Sequence, residues 1–183
     1  LAHPTTGTVL LRIITPNTVA SNLAGFVLRQ SIYPNWLANK IDQNATAHGL
    51  DCPKGPDLTA AAVTQQFQNG LMYWRGDNHI IYVLNNDATW QSAPDTWSDP
   101  QPLSANLTPP ARLIEPVRGF GKVWRDLLNG PSSKIGWATV IEQTHTLQIQ
   151  EFENGLVMRD EKGKIVILLQ NGKWAQVNET TAP

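Results

Sequence analysis

Charge is scarce in this chain. Charged residues make up 16% of it and the formal net charge is −1 at neutral pH, so there is no basic face to neutralise a phosphate backbone, and nucleic acid is excluded as a partner on electrostatic grounds. Cysteine is limited to Cys52, which rules out an intrachain disulfide and a zinc site built from cysteine alone. No apolar run approaches the roughly 18 residues needed to cross a bilayer. The longest, Thr8 to Ile14, is stopped by Pro16-Asn17. Nucleotide fingerprints of the GxGxxG and P-loop kind are missing, and His3, His48, His79 and His145 keep no HxH or HExxH spacing, so neither cofactor nor metal is expected.

What is present is turn chemistry and tryptophan. Thirteen prolines, thirteen glycines and seven tryptophans in 183 residues point to a strand-rich domain with many turns, of a length sufficient for a hydrophobic core. The stretch from Gln66 to Trp90 reads as a β-hairpin: Leu71 to Trp74 are strand formers, Gly76-Asp77-Asn78 is a turn, and Ile80 to Leu84 is a second apolar run. The pattern returns 85 residues later, with Phe152 for Phe67, Gly155 for Gly70, Ile165 for Ile80, Leu169 for Leu84 and Asn171 for Asn86. Trp174 then answers Trp90 after a one-residue slip. The chain reads as an internal duplication.

The pieces fall in order. Residues 1–30 form an N-terminal arm, with a strand at Thr8 to Ile14 and a segment from Asn17 to Gln30 whose spacing allows helix or strand. Residues 31–90 make a first unit, opened by a helix near Pro34 that aligns Tyr33, Trp36, Leu37 and Ile41. Residues 91–115 are a connector with Pro94, Pro100, Pro102, Pro109 and Pro110, which argue against a strand ladder. Residues 116–177 repeat the unit, with a helix carrying Phe120, Val123, Trp124, Leu127 and Leu128 on one face. Residues 178–183 are a tail. The expected fold class is therefore α+β and β-rich: two pseudo-repeated helix plus β-hairpin units sharing a core, with an N-terminal strand arm.

Ile135-Gly136-Trp137-Ala138 as a glycine-aromatic loop, followed by Phe152 and Gly155 at a strand entry and matched by Phe67 and Gly70, resembles the LGFP repeats of bacterial cell-envelope proteins. The stretch Pro116 to Arg125 (PVRGFGKVWR) is similar to the variant of filamentous Chloroflexi-type bacteria. Ala138 stands where the family has proline. The resemblance implies a secreted or cell-surface location, a non-catalytic role in anchoring or decorating the envelope, and no enzyme activity.

Candidate binding residues follow from chemistry. Tyr73, Trp74, Trp90 and Trp97 could form an exposed platform on which sugar rings stack, with Arg75, Asp77 and Asn78 fixing orientation. The same aromatics would serve equally as core between hairpin and helix. Arg75-Gly76-Asp77 is an RGD tripeptide at a hairpin tip, which a turn explains without a receptor. Asp77, Asp87, Asp95 and Asp99 have no calcium-loop spacing. Cys52 with His79 or His145 is the available thiol pair, with no hydrolase signature around it. Paired carboxylates for glycan hydrolysis would come from Glu115, Glu142, Glu151 or Glu153.

The sequence thus leads to a non-catalytic extracellular or cell-envelope module, with polysaccharide or neighbouring copies of itself as partners. The apolar run Thr8 to Ile14 suits strand addition to a neighbour. The alternative is a glycan-acting hydrolase using acidic residues near the 90–115 loop.

Overall fold

The structure is a computed structural model that describes residues 49–50 and 53–178. The strand arm at Thr8 to Ile14, the segment Asn17 to Gln30, the helix near Pro34, Cys52 and residues 179–183 lie outside the described residues.

The chain folds into eight strands: β1 (Leu58–Phe67), β2 (Gly70–Arg75), β3 (Ile80–Asn85), β4 (Trp90–Pro94), β5 (Gln143–Phe152), β6 (Gly155–Arg159), β7 (Lys164–Leu169) and β8 (Trp174–Asn178). A single α-helix among the described residues, α1 (Arg118–Asp126), lies between β4 and β5. The strands form one antiparallel sheet in the order β4-β3-β2-β1-β5-β6-β7-β8. Its two ends come together, where Thr89 bridges Lys173, Trp90 N–H donates to Gly172 C=O at 2.9 Å and Trp174 N–H donates to Ala88 C=O at 3.0 Å. The result is a nearly closed barrel. This overturns the expected pair of helix plus hairpin units. Each half is a four-stranded meander, and the helix is an external cover.

The two meanders meet along β1 and β5, where Ala61 stands opposite Thr146, Leu58 opposite Ile149 and Thr64 opposite Gln143. Ala61 and Thr146 are 85 residues apart, the spacing at which the hairpin pattern recurs, so the ladder runs symmetrically about that pair. Both flanking loops cross over. Phe67 bridges Ala138 and Phe152 bridges Pro53, so the loop before each meander docks on the opposite one.

Register corrects the expected alignment of β3 with β7. Trp74 pairs with Ile81, and its counterpart Arg159 pairs with Ile165. The second hairpin is one residue shorter in its turn, so Ile81, not Ile80, corresponds to Ile165, and Leu84 corresponds to Leu168. A one-residue slip sends a side chain to the other face of a sheet. Ile81 and Ile165 accordingly pack outside the barrel, while Leu84 and Leu168 pack inside.

The interior cluster draws on strands from both halves: Ala60, Ala62, Tyr73, Tyr82, Leu84, Leu147, Ile149, Met158, Val166 and Leu168, with Trp90 and Trp174 against it. The outer face of the first half carries Phe67, Met72, Ile81, Val83 and Ala93, covered by Phe120, Val123 and Trp124 of α1 and by Ile135 and Ala138. The second half's outer face carries Val157, Ile165 and Ile167 beside Leu50 and Phe152. Burial on both faces explains why β3 and β7 are continuous apolar runs in place of alternating ones.

Two further expectations change. The stretch from Trp90 begins as a strand, because β4 pairs with β3 from Leu84↔Trp90 to Ile80↔Pro94. An edge strand tolerates proline at its end, where no ladder donor is lost. Leu127, expected on the buried stripe of α1, is 64% exposed, since the helix ends at Asp126.

Candidate functional site

Val63, Trp74, Ile81 and Ala93 stand in cross-strand register on β1 to β4, forming a row across the outer face of the first half. The start of α1 and the loop after β4 rise on either side of this row. Between them lies a cavity of about 200 Å³ lined by Val63, Trp74, Ile81, Asp95, Trp97, Arg118, Gly119, Phe120 and Glu142. Its floor is apolar and its rim carries two carboxylates and a guanidinium.

Local sequence explains the shape. Pro116 leads into α1, where Phe120, Val123 and Trp124 are buried. A Cβ at Gly119 would lie 2.5 Å from Asp95 Oδ1, and one at Gly121 would run into the Pro116 carbonyl. Gly119 lets the first helical turn press against the end of β4, and Gly121 lets the turn close onto the Pro116 carbonyl. Arg118 takes a left-handed φ of 48°, a region where a side chain is strained, and its guanidinium lies 3.4 Å from Glu142 Oε2.

Trp97 is held at the edge of the groove. Its indole N–H donates to Pro102 C=O at 3.2 Å, and its backbone N–H donates to Asp95 Oδ1 at 3.1 Å. Behind it Glu115, 8% exposed, organises the proline-rich loop. Its two carboxylate oxygens accept the Ala105 and Leu107 N–H groups at 2.7 and 2.9 Å, and Arg125 lies 3.9 Å away. Glu115 is thereby committed to the loop and stands outside the groove lining.

The electrostatics of the rim are uneven. Burial raises the Glu142 carboxyl above the ordinary value, Arg118 opposes the rise, and Asp95 adds to it. On the floor, the buried Nε1 of Trp74 has no hydrogen-bond partner among the described residues. A buried indole N–H usually finds one. Here it is left unpaired beneath the groove surface.

Of the residues expected to form one platform, the structure brings Trp74 and Trp97 together and separates the rest. Tyr73 is 4% exposed and belongs to the barrel interior, as strand alternation requires next to an outward Trp74. Trp90 lies at the barrel seam, its indole N–H donating to Leu169 C=O at 2.8 Å. Arg75 is 1% exposed. It grips Asp77 through two hydrogen bonds of 3.0 and 2.6 Å and donates to the Tyr82 hydroxyl at 3.2 Å. The RGD tripeptide therefore hides its arginine and cannot present it to a receptor. Asn78 also donates to Tyr82, at 3.1 Å.

The other candidates are dispersed. Asp87 pairs with Lys134 and accepts from the Thr89 hydroxyl at 2.5 Å, which holds its carboxyl down to about 2. Asp99 precedes a cis proline bond, and among the described residues no three ligating side chains gather around a metal position. His79 stands edge-on to Trp74, with ring centroids 5.6 Å apart, while His145 lies at a different cavity. Glu151 is exposed on β5 and Glu153 sits in the following turn.

Sequence reasoning missed Arg118, Val63 and Ile81 as groove residues. The tight PVRGFG entry was the available signal, because two glycines around a buried aromatic mark a close approach. In the second half, the equivalents of Val63, Trp74 and Glu142 are Gln148, Arg159 and Asp57. Gln148 donates to Asp57 at 2.7 Å, so the aromatic groove belongs to the first half.

Among the described residues no helix is long and apolar enough to cross a membrane. No family model matches the chain, and no curated protein or solved structure shows significant similarity to it.

Proposed function

We propose that the protein is a non-catalytic binding module and that the groove between β1–β4 and α1 takes a sugar unit of a surface or cell-wall polysaccharide. The observation that carries this reading is the pairing of Trp74 and Trp97 with Asp95, Arg118 and Glu142 around one apolar floor. Aromatic faces offer large apolar area to the C–H faces of a pyranose ring, and a few placed polar groups fix its hydroxyls. An extracellular or cell-surface setting, and the likeness to LGFP repeats, belong to this same reading.

The test is titration with soluble wall oligosaccharides, followed by tryptophan fluorescence and calorimetry. Saturable binding that Trp97→Ala abolishes supports the module. Unchanged fluorescence across a panel of neutral and acidic glycans refutes it.

A second reading is hydrolysis of such a glycan, favoured by one observation. Asp95 and Glu142 share the groove, and burial raises Glu142 toward the range of a general acid. Release of reducing ends that stops in Glu142→Gln would replace the binding reading. A bound glycan recovered intact would end this one. Assembly with neighbouring copies through the Thr8–Ile14 arm concerns residues outside the described ones, and light scattering with and without residues 1–16 tests it.

A further inference from the structure

A second cavity, of about 230 Å³, opens where the β6–β7 turn folds beside β1 and β5, and its lining includes Tyr73, Gln143, His145, Asp160, Lys162 and Lys164. We infer that this mouth of the barrel is a binding site for a small organic monocarboxylate, separate from the aromatic groove.

The cationic side is in excess. Lys162 and Lys164 line it against one acid, Asp160, with the His145 ring beside them. That acid is already engaged, because its Oδ1 accepts the backbone N–H groups of Lys162 and Lys164, both at 2.9 Å. Lys164 is half-buried, and burial lowers its ammonium below the ordinary value despite Asp160. Among the described residues no carboxylate oxygen comes within 4 Å of its Nζ. A half-desolvated cation without a direct ion pair gains most from an incoming anion.

Tyr73 supplies the complementary donor. Burial, with Asp160 nearby, pushes its phenol above the ordinary value, so it stays protonated at any physiological pH. An O–H and an ammonium facing one space suit the two oxygens of a carboxylate. Leu71 and Leu147 supply apolar wall for the organic body.

The other half shows the contrast. Arg75 stands 85 residues before Asp160, at the corresponding end of its hairpin. There the space is taken, for Arg75 fills it with its own side chain, bonded to Asp77 and Tyr82. One mouth carries its own ion pair, and the other leaves a lysine and a phenol open.

The experiment is calorimetry and amide chemical-shift mapping with sodium glucuronate, methyl glucoside and inorganic phosphate as probes. Glucuronate is expected to shift signals around His145 and Lys164 and to bind about tenfold more weakly to Lys164→Met, the loss of one charge-assisted bond. Tyr73→Phe weakens it less. Trp97→Ala leaves it unchanged, which separates this site from the groove whether or not the groove binds sugar. If Lys164→Met misfolds, exposed Lys162→Met replaces it and should weaken binding by a few-fold. The proposal is overturned by no shift at either residue in tens of millimolar glucuronate, by equal binding of methyl glucoside, by phosphate binding more tightly than glucuronate, or by affinity unaltered in the lysine variants.

Discussion

Trp90 and Trp174 are reciprocal: Trp90 Nε1 donates to Leu169 C=O and Trp174 Nε1 donates to Asn85 C=O, both at 2.8 Å. Each indole thus ties its own half to the last residue of β7 or β3 in the other. Backbone bonds from Trp90 to Gly172 and from Trp174 to Ala88 repeat the exchange. This pair closes the barrel seam at the end of the sheet farthest from the β1–β5 ladder.

Replacing either tryptophan by phenylalanine keeps most of the apolar contact and removes one donor. Each variant should lose about 1 kcal/mol in urea denaturation, whereas Trp90→Ala or Trp174→Ala should lose about 3 kcal/mol. Because both indoles close one seam, the double phenylalanine variant should depart from the sum of the single ones. Strict additivity would show that the two bonds act independently.

Gly70 and Gly155 occupy matching places at the starts of β2 and β6. A Cβ at Gly70 would run into the Leu84 carbonyl, and one at Gly155 into that of Leu168. Backbone cannot yield as a flexible side chain can, so Gly70→Ala and Gly155→Ala should each destabilise by about 2–3 kcal/mol. Gly55, with nothing within 4 Å of its built Cβ, is the control, and Gly55→Ala should leave the urea midpoint nearly unchanged. Equal midpoints for all three would mean that the strand ends relax freely.

These glycines also show how far the sequence could be read. Gly70 and Gly155 fall at matching places of the repeat, and the 85-residue spacing predicts equivalent strands that the β1–β5 register pairs about Ala61 and Thr146. The slip was placed too late, because Ile80 and Ile81 are equally apolar and periodicity cannot choose between them when both faces are buried. Barrel closure was not legible. It depends on indole-to-carbonyl bonds spanning 79 and 89 residues, which no local pattern encodes. Trp74 and Trp97 were singled out by residue type alone. Tyr73 was misplaced on the platform because its inward direction follows only from strand parity, and Arg118 was overlooked because its role depends on how the helix start meets β4.

The Arg75–Asp77 pair makes an acid-stability prediction. The hydrogen bonds from Arg75 hold the Asp77 carboxyl below its ordinary value. A carboxylate lowered on folding contributes stability that is present above its unfolded pKa and is lost as pH falls through the folded one. Asp77→Asn should therefore flatten that part of the pH profile below the usual carboxylate range. At neutral pH it should cost about 2–3 kcal/mol, since a guanidinium 1% exposed would keep Tyr82 as its hydrogen-bond partner and only the longer-range attraction of Glu151. A variant as stable as the parent at pH 7 would show that Tyr82, with Glu151 at longer range, suffices to hold Arg75.

Glu142 carries the opposite sign. Burial raises its folded value above that of the unfolded chain, so the protonated form favours folding. The contribution is present below the ordinary carboxylate range and declines as pH rises through the raised value. Glu142→Gln should then be at least as stable as the parent at pH 7, with a flatter profile across mildly acidic pH, read from thermal midpoints between pH 4 and 7. Arg118→Ala removes the cation that limits the rise, and should steepen the decline by raising Glu142 further. If sugar occupies the groove, a bound hydroxyl that donates to the carboxylate lowers the Glu142 pKa in the complex, so binding should release protons at pH values near the raised one. Calorimetry in two buffers of different ionisation enthalpy reads that release directly. Identical heats in both buffers would place the ligand away from Glu142, while a heat difference abolished by Glu142→Gln would assign the proton to it.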